Sequence, residues 1–570
     1  MRTPLPLSRA LTAAALFTLL LGACQTSPSP GETGTPADTV ARTQAAAESR
    51  AAAHARGRLH EPAPPAPPAP AMALHALARP MPVPAPPRAN TERYDAREDN
   101  PVRRTRQAPV STFSVDVDTG SYANVRRMLR EGTRPPADAV RVEEFLNYFD
   151  YGHAAPATRE VPFRVTTELA PAPWNPARQL LMIGIKGYDV DKTRLPAANL
   201  VLLVDTSGSM EDERKLPLLR KAFAQLLPHL RAEDRVSIVA YAGSAGVVLP
   251  PTPGDRQGEI LAALESLRAG GSTNGGEGIR LAYAMARQSY VDGGVNRILL
   301  ATDGDFNVGI TDRGALLDLV ADQRRSGVAL STLGFGTGNY NDGMAERLAD
   351  AGNGQHLYID TLDEARRVLV RQMQATLLTI ASDVKVQVEF NPALVSEYRL
   401  VGYENRLLRE EDFANDRVDA GEIGAGHEVT ALYEITLAGS GAERLPALRY
   451  GEAVPDAGAR SGELAHLRLR YKRPGQEESR LIETAVPRSS LRPQASQSLR
   501  FAAAVAGYAD LLRGGKYVDS WNWDDVERTA RGATGQDPFG LRHEFLRLVD
   551  SARAVTMADA PQPAQDAVAP

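Results

Sequence analysis

Apolar positions along the chain recur with one of two periods, and the change of period divides it. Between residues 198 and 374, short apolar runs alternate with amphipathic stretches. The runs at 200–204, 236–241, 297–301 and 328–335 read as buried strands. Segments between them, such as "LPLLRKAFAQLLPHL" and "EGIRLAYAMARQSYV", carry apolar residues at helical spacing. Strands separated by helical segments predict an α/β domain with a doubly wound, mainly parallel sheet and helices on both faces. From residue 379 the period falls to two. In "DVKVQVEF", Val384, Val386, Val388 and Phe390 point one way and Lys385, Gln387 and Glu389 the other. That alternation predicts a half-buried antiparallel strand. "VTALYEITL" and "HLRLRYK" repeat it, and residues 163–169 and 180–187 are strand-like upstream. The pattern predicts a flanking β-sandwich drawn from both sides of the α/β domain, which is then an insertion. Helical spacing returns at both ends, at "SYANVRRMLREG" and "AVRVEEFLNYF" before the sandwich strands and at "QSLRFAAAVAGYADLLR" and "FGLRHEFLRLVDSA" after them.

Residues 1–90 follow neither period. Arg2 and Arg9 flank an apolar run at 10–21, too short to span a bilayer but suited to a signal-peptide core. The run ends in Leu21-Gly22-Ala23-Cys24, which holds the only cysteine of the chain. This tetrapeptide resembles the bacterial lipobox, in which cleavage precedes the cysteine and the sulfur carries a diacylglycerol. The resemblance implies a stable lipid anchor at Cys24, and Gln25 in place of Asp leans towards the outer membrane. With Cys24 acylated, no thiol is left for a disulfide. Residues 25–90 are dominated by Ala, Pro, Ser and Thr, including "EPAPPAPPAPA" from Glu61. Such a composition cannot bury enough apolar surface to fold. At ~3.1 Å per residue, the Pro-rich stretch spans roughly 80 Å as a disordered tether. An Ala-rich helix within 38–59 would be solvent-exposed.

The expected organisation is therefore a signal peptide (1–23), a lipidated linker (24–90) and an N-terminal domain of helices and strands (91–190). The α/β domain (198–374), a C-terminal domain of strands then helices (379–555) and a disordered tail (556–570) follow. A chain of 570 residues has room for two or three cores. Its net charge of -5 with 24% charged residues argues against a nucleic-acid partner, which needs a basic face.

The candidate chemistry lies at the strand ends of the α/β domain. "VDTSGSM" presents Asp205, Ser207 and Ser209 at alternate positions of the loop after the first strand. "GGSTNGGEG" places Thr273 in a glycine-rich loop before a helix, and "ILLATDGD" ends a buried strand with Asp303. Hard divalent cations take oxygen ligands. Here the hydroxyls supply neutral oxygens and the two aspartates supply charge. In a doubly wound sheet, ligands bind at the carboxyl ends of the strands, at the switch point.

The five positions together resemble the metal-ion-dependent adhesion site of von Willebrand factor type A domains. That resemblance implies Mg²⁺ (or Ca²⁺ or Mn²⁺) held directly by Ser207, Ser209 and Thr273, with Asp205 and Asp303 acting partly through water. It further implies an open coordination position that takes a carboxylate from a protein partner. Beyond the site, "STFSVDVDTGSYANVRRML", "GGVNRILLATDGDFNVG", "GFGTGNYND" and "DAGEIGAGHEVTALYEI" look like the YfbK-type bacterial lipoproteins that contain such a domain. This likeness runs from about residue 91 to 552. The role of that family is poorly defined, so the likeness implies the architecture more than the task. The adhesion-site resemblance and the lipobox together imply an envelope-anchored, cation-dependent interaction module and not an enzyme. The alternative is a structural or regulatory subunit assisting an envelope enzyme or transporter, with the metal mainly architectural.

A second string, "VDTGSY" at Val117–Tyr122, raises the question of an aspartic protease. Two carboxylates sharing a proton demand near-symmetric lobes, and the alternation here predicts none. The favoured reading of "VDVDTGSY" is a helix cap in which Asp118, Thr119 or Ser121 satisfies the first amides. A minor cation site at Asp116 and Asp118 is the alternative. "GGSTNGGEG" lacks the Lys of a phosphate-binding loop, and "GFGTGNY" lies outside a first βα turn. His229, His356, His427, His466 and His543 have no zinc-like spacing. "SWNWDD" is read as packing in preference to a stacking site for carbohydrate or peptide.

Overall fold

The computed structural model describes residues 90–191, 194–304, 313–449 and 462–558. Cys24, the linker and the residues after 558 lie outside these. Among the described residues no helix is long and apolar enough to cross a membrane.

Four strands precede the α/β domain: β1 (Arg103–Arg104), β2 (Val110–Ser114), β3 (Phe163–Ala172) and β4 (Asn175–Gly187). Within it lie β5 (Ala198–Asp205), β6 (Arg235–Tyr241), β7 (Ala245–Pro253), β8 (Val295–Thr302), β9 (Ala329–Gly334) and β10 (His356–Tyr358). After it come β11 (Thr379–Phe390), β12 (Val395–Val401), β13 (Leu407–Leu408), β14 (Gly421–Gly424), β15 (Glu428–Leu437), β16 (Glu463–Lys472) and β17 (Ser479–Pro487).

The central sheet has the order β10-β9-β8-β5-β6-β7. All its pairings are parallel except β6 with β7. The sequence reading missed β7 because Pro250, Pro251 and Pro253 look like breakers. An edge strand tolerates prolines that a central one would not. The β5 run "ANLVLLVD" is buried throughout, as expected of a strand covered on both faces. Leu200, Leu202 and Val204 face one helical layer with Leu219 and Phe223, while Val201 and Leu203 face the other with Ile279 and Tyr283.

The flanking strands form two further sheets, β1-β12-β15-β4-β3 and β13-β2-β11-β16-β17. Strands from before and after the α/β domain thus pair directly, β4 with β15 and β2 with β11. The two sheets share a core of Phe113, Leu181, Ile183, Val384, Val386, Val388 and Tyr433. The alternate residues of β4, Leu180 and Met182, point to a third layer, where Tyr122, Phe145, Phe149, Phe501, Tyr508 and Phe545 come from helices at both ends of the chain. Strand β4 is therefore apolar on both faces, which is why "QLLMIGIKG" lacks alternation.

Two local expectations change. In β11, Lys385 and Gln387 are buried as well as the valines. The ammonium of Lys385 donates to the carbonyls of Asp412 (3.1 Å) and Asn415 (2.5 Å), so a neighbouring turn covers the polar face. The cap expected from "VDVDTGSY" is not made. Thr119 precedes the helix Gly120–Arg130 with no side-chain cap bond, and the amide of Ser121 donates to Glu144 Oε2 at 2.7 Å. Asp118 instead accepts from the amide of His356 (2.8 Å) and from Arg406 (3.2 Å). A long-range guanidinium and a backbone donor outcompete the local cap. Arg406 also lies 3.4 Å from Asp116, so the cation between these two aspartates belongs to the protein. In "SWNWDD", Trp521 packs edge-on to Trp174 (5.6 Å), Trp523 packs on Tyr508 (5.8 Å) and Asn522 caps the following helix.

Candidate metal centre

The carboxyl ends of β5 and β8 are neighbours in the sheet. The chain leaves β5 towards β6 on one side, while β8 and β9 extend the sheet on the other. This crevice is where a doubly wound sheet binds ligands. Asp205 is fully buried at the last position of β5. Its Oδ1 accepts from the amide of Ser207 at 2.9 Å. Its Oδ2 accepts from the hydroxyls of Thr302 (3.2 Å) and Tyr241 (3.4 Å). Burial, with the Asp303 carboxylate nearby, pushes Asp205 up to about 7. A cation at the site would offset both causes.

Ser209 donates to Asp303 Oδ2 at 2.6 Å, and its oxygen lies 3.0 Å from that of Ser207. A hydroxyl has one proton and two lone pairs, so both oxygens keep a lone pair for a cation. The Thr273 loop is held against the first loop by backbone bonds, Gly208 N to Gly271 O (3.0 Å) and Gly270 N to Thr206 O (2.8 Å). Thr273 is 6% exposed, and among the described residues its hydroxyl has no hydrogen-bond partner. After Asp303 the chain turns at Gly304 with φ of 79°. A Cβ there would sit 2.8 Å from the Asn341 backbone, so both conformation and space require glycine.

Four of the five candidate residues are thus joined through side-chain or backbone hydrogen bonds, and the fifth is brought alongside by its loop. The donor set fits a hard divalent cation. It offers two carboxylates, two hydroxyls in contact with each other and with Asp303, and one hydroxyl without a partner. Among the described residues no group of three or more His, Cys, Asp or Glu is placed to hold a metal, so the hydroxyls are essential to this assignment.

Two participants escaped the sequence reading. The ammonium of Lys215 donates to Asp303 Oδ2 (3.0 Å) and Asn339 Oδ1 (2.6 Å), and Asn339 Nδ2 donates to the same Asp303 oxygen (3.0 Å). In the sequence Lys215 is one of several charges in "EDERKLPLL" and reads as surface. The available signal was positional. It immediately precedes the helix Leu216–Leu226, where the helix dipole disfavours a cation.

The sheet and its strand-end site define the α/β domain as a von Willebrand factor type A domain. The family model of that description matches residues 200–305, and a second model, von Willebrand factor, matches residues 88–182. A third, for the C-terminal part of the uncharacterized protein YfbK, matches residues 375–555. The chain belongs to the YfbK family. It is 50% identical over 476 residues, 82% of each chain, to the uncharacterized protein YfbK of Escherichia coli (strain K12). It is also similar to the uncharacterized protein sll0103 of Synechocystis, at 27% identity over 56% of this chain and 71% of the relative. Among solved structures, von Willebrand factor type A from Catenulispora acidiphila aligns at 14% identity over 69% of this chain and 91% of its own, with a TM-score of 0.38.

Proposed function

We propose that the chain is an envelope lipoprotein, anchored through Cys24, which binds a divalent cation at Asp205, Ser207, Ser209, Thr273 and Asp303 and engages a carboxylate of a protein partner there. Mg²⁺ is the expected ion, with Ca²⁺ and Mn²⁺ as substitutes. The observation that carries this reading is the convergence of the Ser207 and Ser209 hydroxyls on the Asp303 carboxylate. Ser209 donates to Asp303 with the Ser207 oxygen 3.0 Å away, which leaves oxygen lone pairs free beside an unpartnered Thr273. Neutral direct ligands leave a bound ion electron-poor and receptive to an outside anion. In this reading the protein holds and presents the ion and does not turn over a substrate.

One observation favours the alternative of a regulatory subunit with an architectural metal. Asp303 already has an ammonium partner in Lys215, so part of the site's charge is met within the fold, as in a site that serves as internal structure. The test is capture of envelope proteins on the detergent-solubilised full chain in Mg²⁺, in EDTA, and in Mg²⁺ with Thr273→Ala. A partner retained only in the first condition, and competed by acetate, supports adhesion. A partner retained in all three places the interaction on the flanking domains and makes the metal architectural.

A further inference from the structure

We propose that Lys215 is a specificity-determining residue of the site, a tethered cation that weakens divalent-ion binding and strengthens the capture of an incoming carboxylate. This inference rests on the metal reading above.

The placement of Lys215 is costly on three counts. It is 4% exposed, and burying an ammonium carries a desolvation penalty. It stands at the N-terminal end of a helix, where the dipole opposes it. Its stem also needs a passage. Gly336, with φ of 83°, lies against that stem, and an added Cβ would collide with Cγ and Cε of Lys215. The glycines of "GFGTGNYND" therefore include one that opens the route by which the ammonium reaches the site. At the end of that route Nζ is shared between Asp303 Oδ2 and Asn339 Oδ1. Ser209, Lys215 and Asn339 all donate to one oxygen of Asp303. Lys215 thus fixes the carboxylate that in turn orients the Ser209 hydroxyl.

Charge then decides the consequence. Without Lys215, two carboxylates and a divalent ion would be neutral together, and an approaching carboxylate would meet no net attraction. With Lys215, these same groups sum to one net positive charge once the ion is bound. The same positive charge repels the divalent ion before it binds. In a buried site such interactions are poorly screened. The lysine therefore exchanges some affinity for metal for affinity towards an anionic ligand.

The test compares the full chain in detergent with Lys215→Met, which keeps the stem, and Lys215→Gln, which keeps a donor for Asp303 without the charge. Mn²⁺ affinity is read by calorimetry, and acetate binding to the Mn²⁺-loaded chain by electron paramagnetic resonance. The expected result for both variants is Mn²⁺ binding tighter by about tenfold, weaker acetate binding, and a larger rise in melting temperature on adding Mn²⁺. If the parent binds Mn²⁺, Thr273→Ala loses it, and folded Lys215→Gln matches the parent in both affinities, the role of Lys215 is overturned alone. If parent and variants all fail to bind Mn²⁺, the metal reading falls and takes this inference with it. A variant that does not fold is replaced by the other, since only Lys215→Met removes the hydrogen bond to Asp303.

Discussion

Two regions of this molecule begin from nearly the same string and end in opposite states. "VDTSGSM" follows β5, and "VDVDTGSY" follows β2. In each, an aspartate is buried beside a second aspartate. Burial and Asp303 push Asp205 up. Burial and Asp116 push Asp118 up, with Arg406 pulling the other way. The resolution differs. Around Asp116 and Asp118 the counter-charge is Arg406, supplied by the loop after β12. That side chain also pairs with Asp350, in the helix Asp342–Ala351 of the α/β domain (2.8 Å). Around Asp205 the direct donors are neutral, the amide of Ser207 and the hydroxyls of Thr302 and Tyr241. Lys215 serves Asp303 instead. "VDVDTGSY" has become a lock between parts of the fold, and "VDTSGSM" keeps an electrostatic demand that an outside ion can meet. The lesson is that a buried carboxylate pair stays a candidate site only where the fold withholds a full set of internal cations.

The comparison can be broken from either side. The largest expected effect is on the lock. Arg406→Ala leaves Asp116, Asp118 and Asp350 without their guanidinium, and removing one partner of a buried ion pair costs about 3–5 kcal/mol. Chemical denaturation should show that loss while Mg²⁺ binding by the folded fraction is unchanged. Next, Asp205→Ala should weaken Mg²⁺ binding at least about a hundredfold, or about 2.7 kcal/mol, with the fold intact. Asp118→Asn should leave it untouched. Titration calorimetry checks both, and Mg²⁺ affinity lost on Asp118→Asn would contradict the contrast drawn here.

Acid sharpens the same contrast. Burial would raise Glu346, but Arg141, Arg97 and Arg406 outweigh it and push it down to about 2. Burial likewise opposes Arg367 and Arg126 at Glu364, which is also pushed down to about 2. A carboxylate lowered in the folded state adds stability that is full above its unfolded value of 4.5 and is lost as pH falls towards 2. The contribution of these two glutamates should therefore be full above about 4.5 and be lost below it, read as a steepening fall of the denaturation midpoint in acid. Glu346→Gln should flatten that decline. The smallest effect belongs to the exposed pair of Arg214 and Glu131, whose side chains are 50% and 34% exposed. Glu131→Gln should change stability by under about 1 kcal/mol, and less in high salt.

Much of this was legible in one dimension because it depends on local periodicity. The alternation in β11 and β15, the buried runs of β5 and β8 and the helical spacing of residues 275–288 are each decided by which faces must be apolar. The three pieces of the candidate site were legible for a related reason. Each ends a strand or opens a helix, and strand ends at a switch point converge whatever the details of packing. The short β10, the proline-bearing β7 and the covered polar face of β11 were not legible, because each owes its state to a neighbour remote in sequence.

The sequence by itself determined the two periods, the inserted order of strands and which oxygen-bearing residues are candidates for the site, since these follow from residue type and spacing. Only the tertiary structure decided which aspartates would be paired. Arg406 reaches Asp118 across 288 residues, and Lys215 reaches Asp303 across 88. Electrostatic partnership depends on distance in space and on burial, and neither is written in the spacing of residues along a strand.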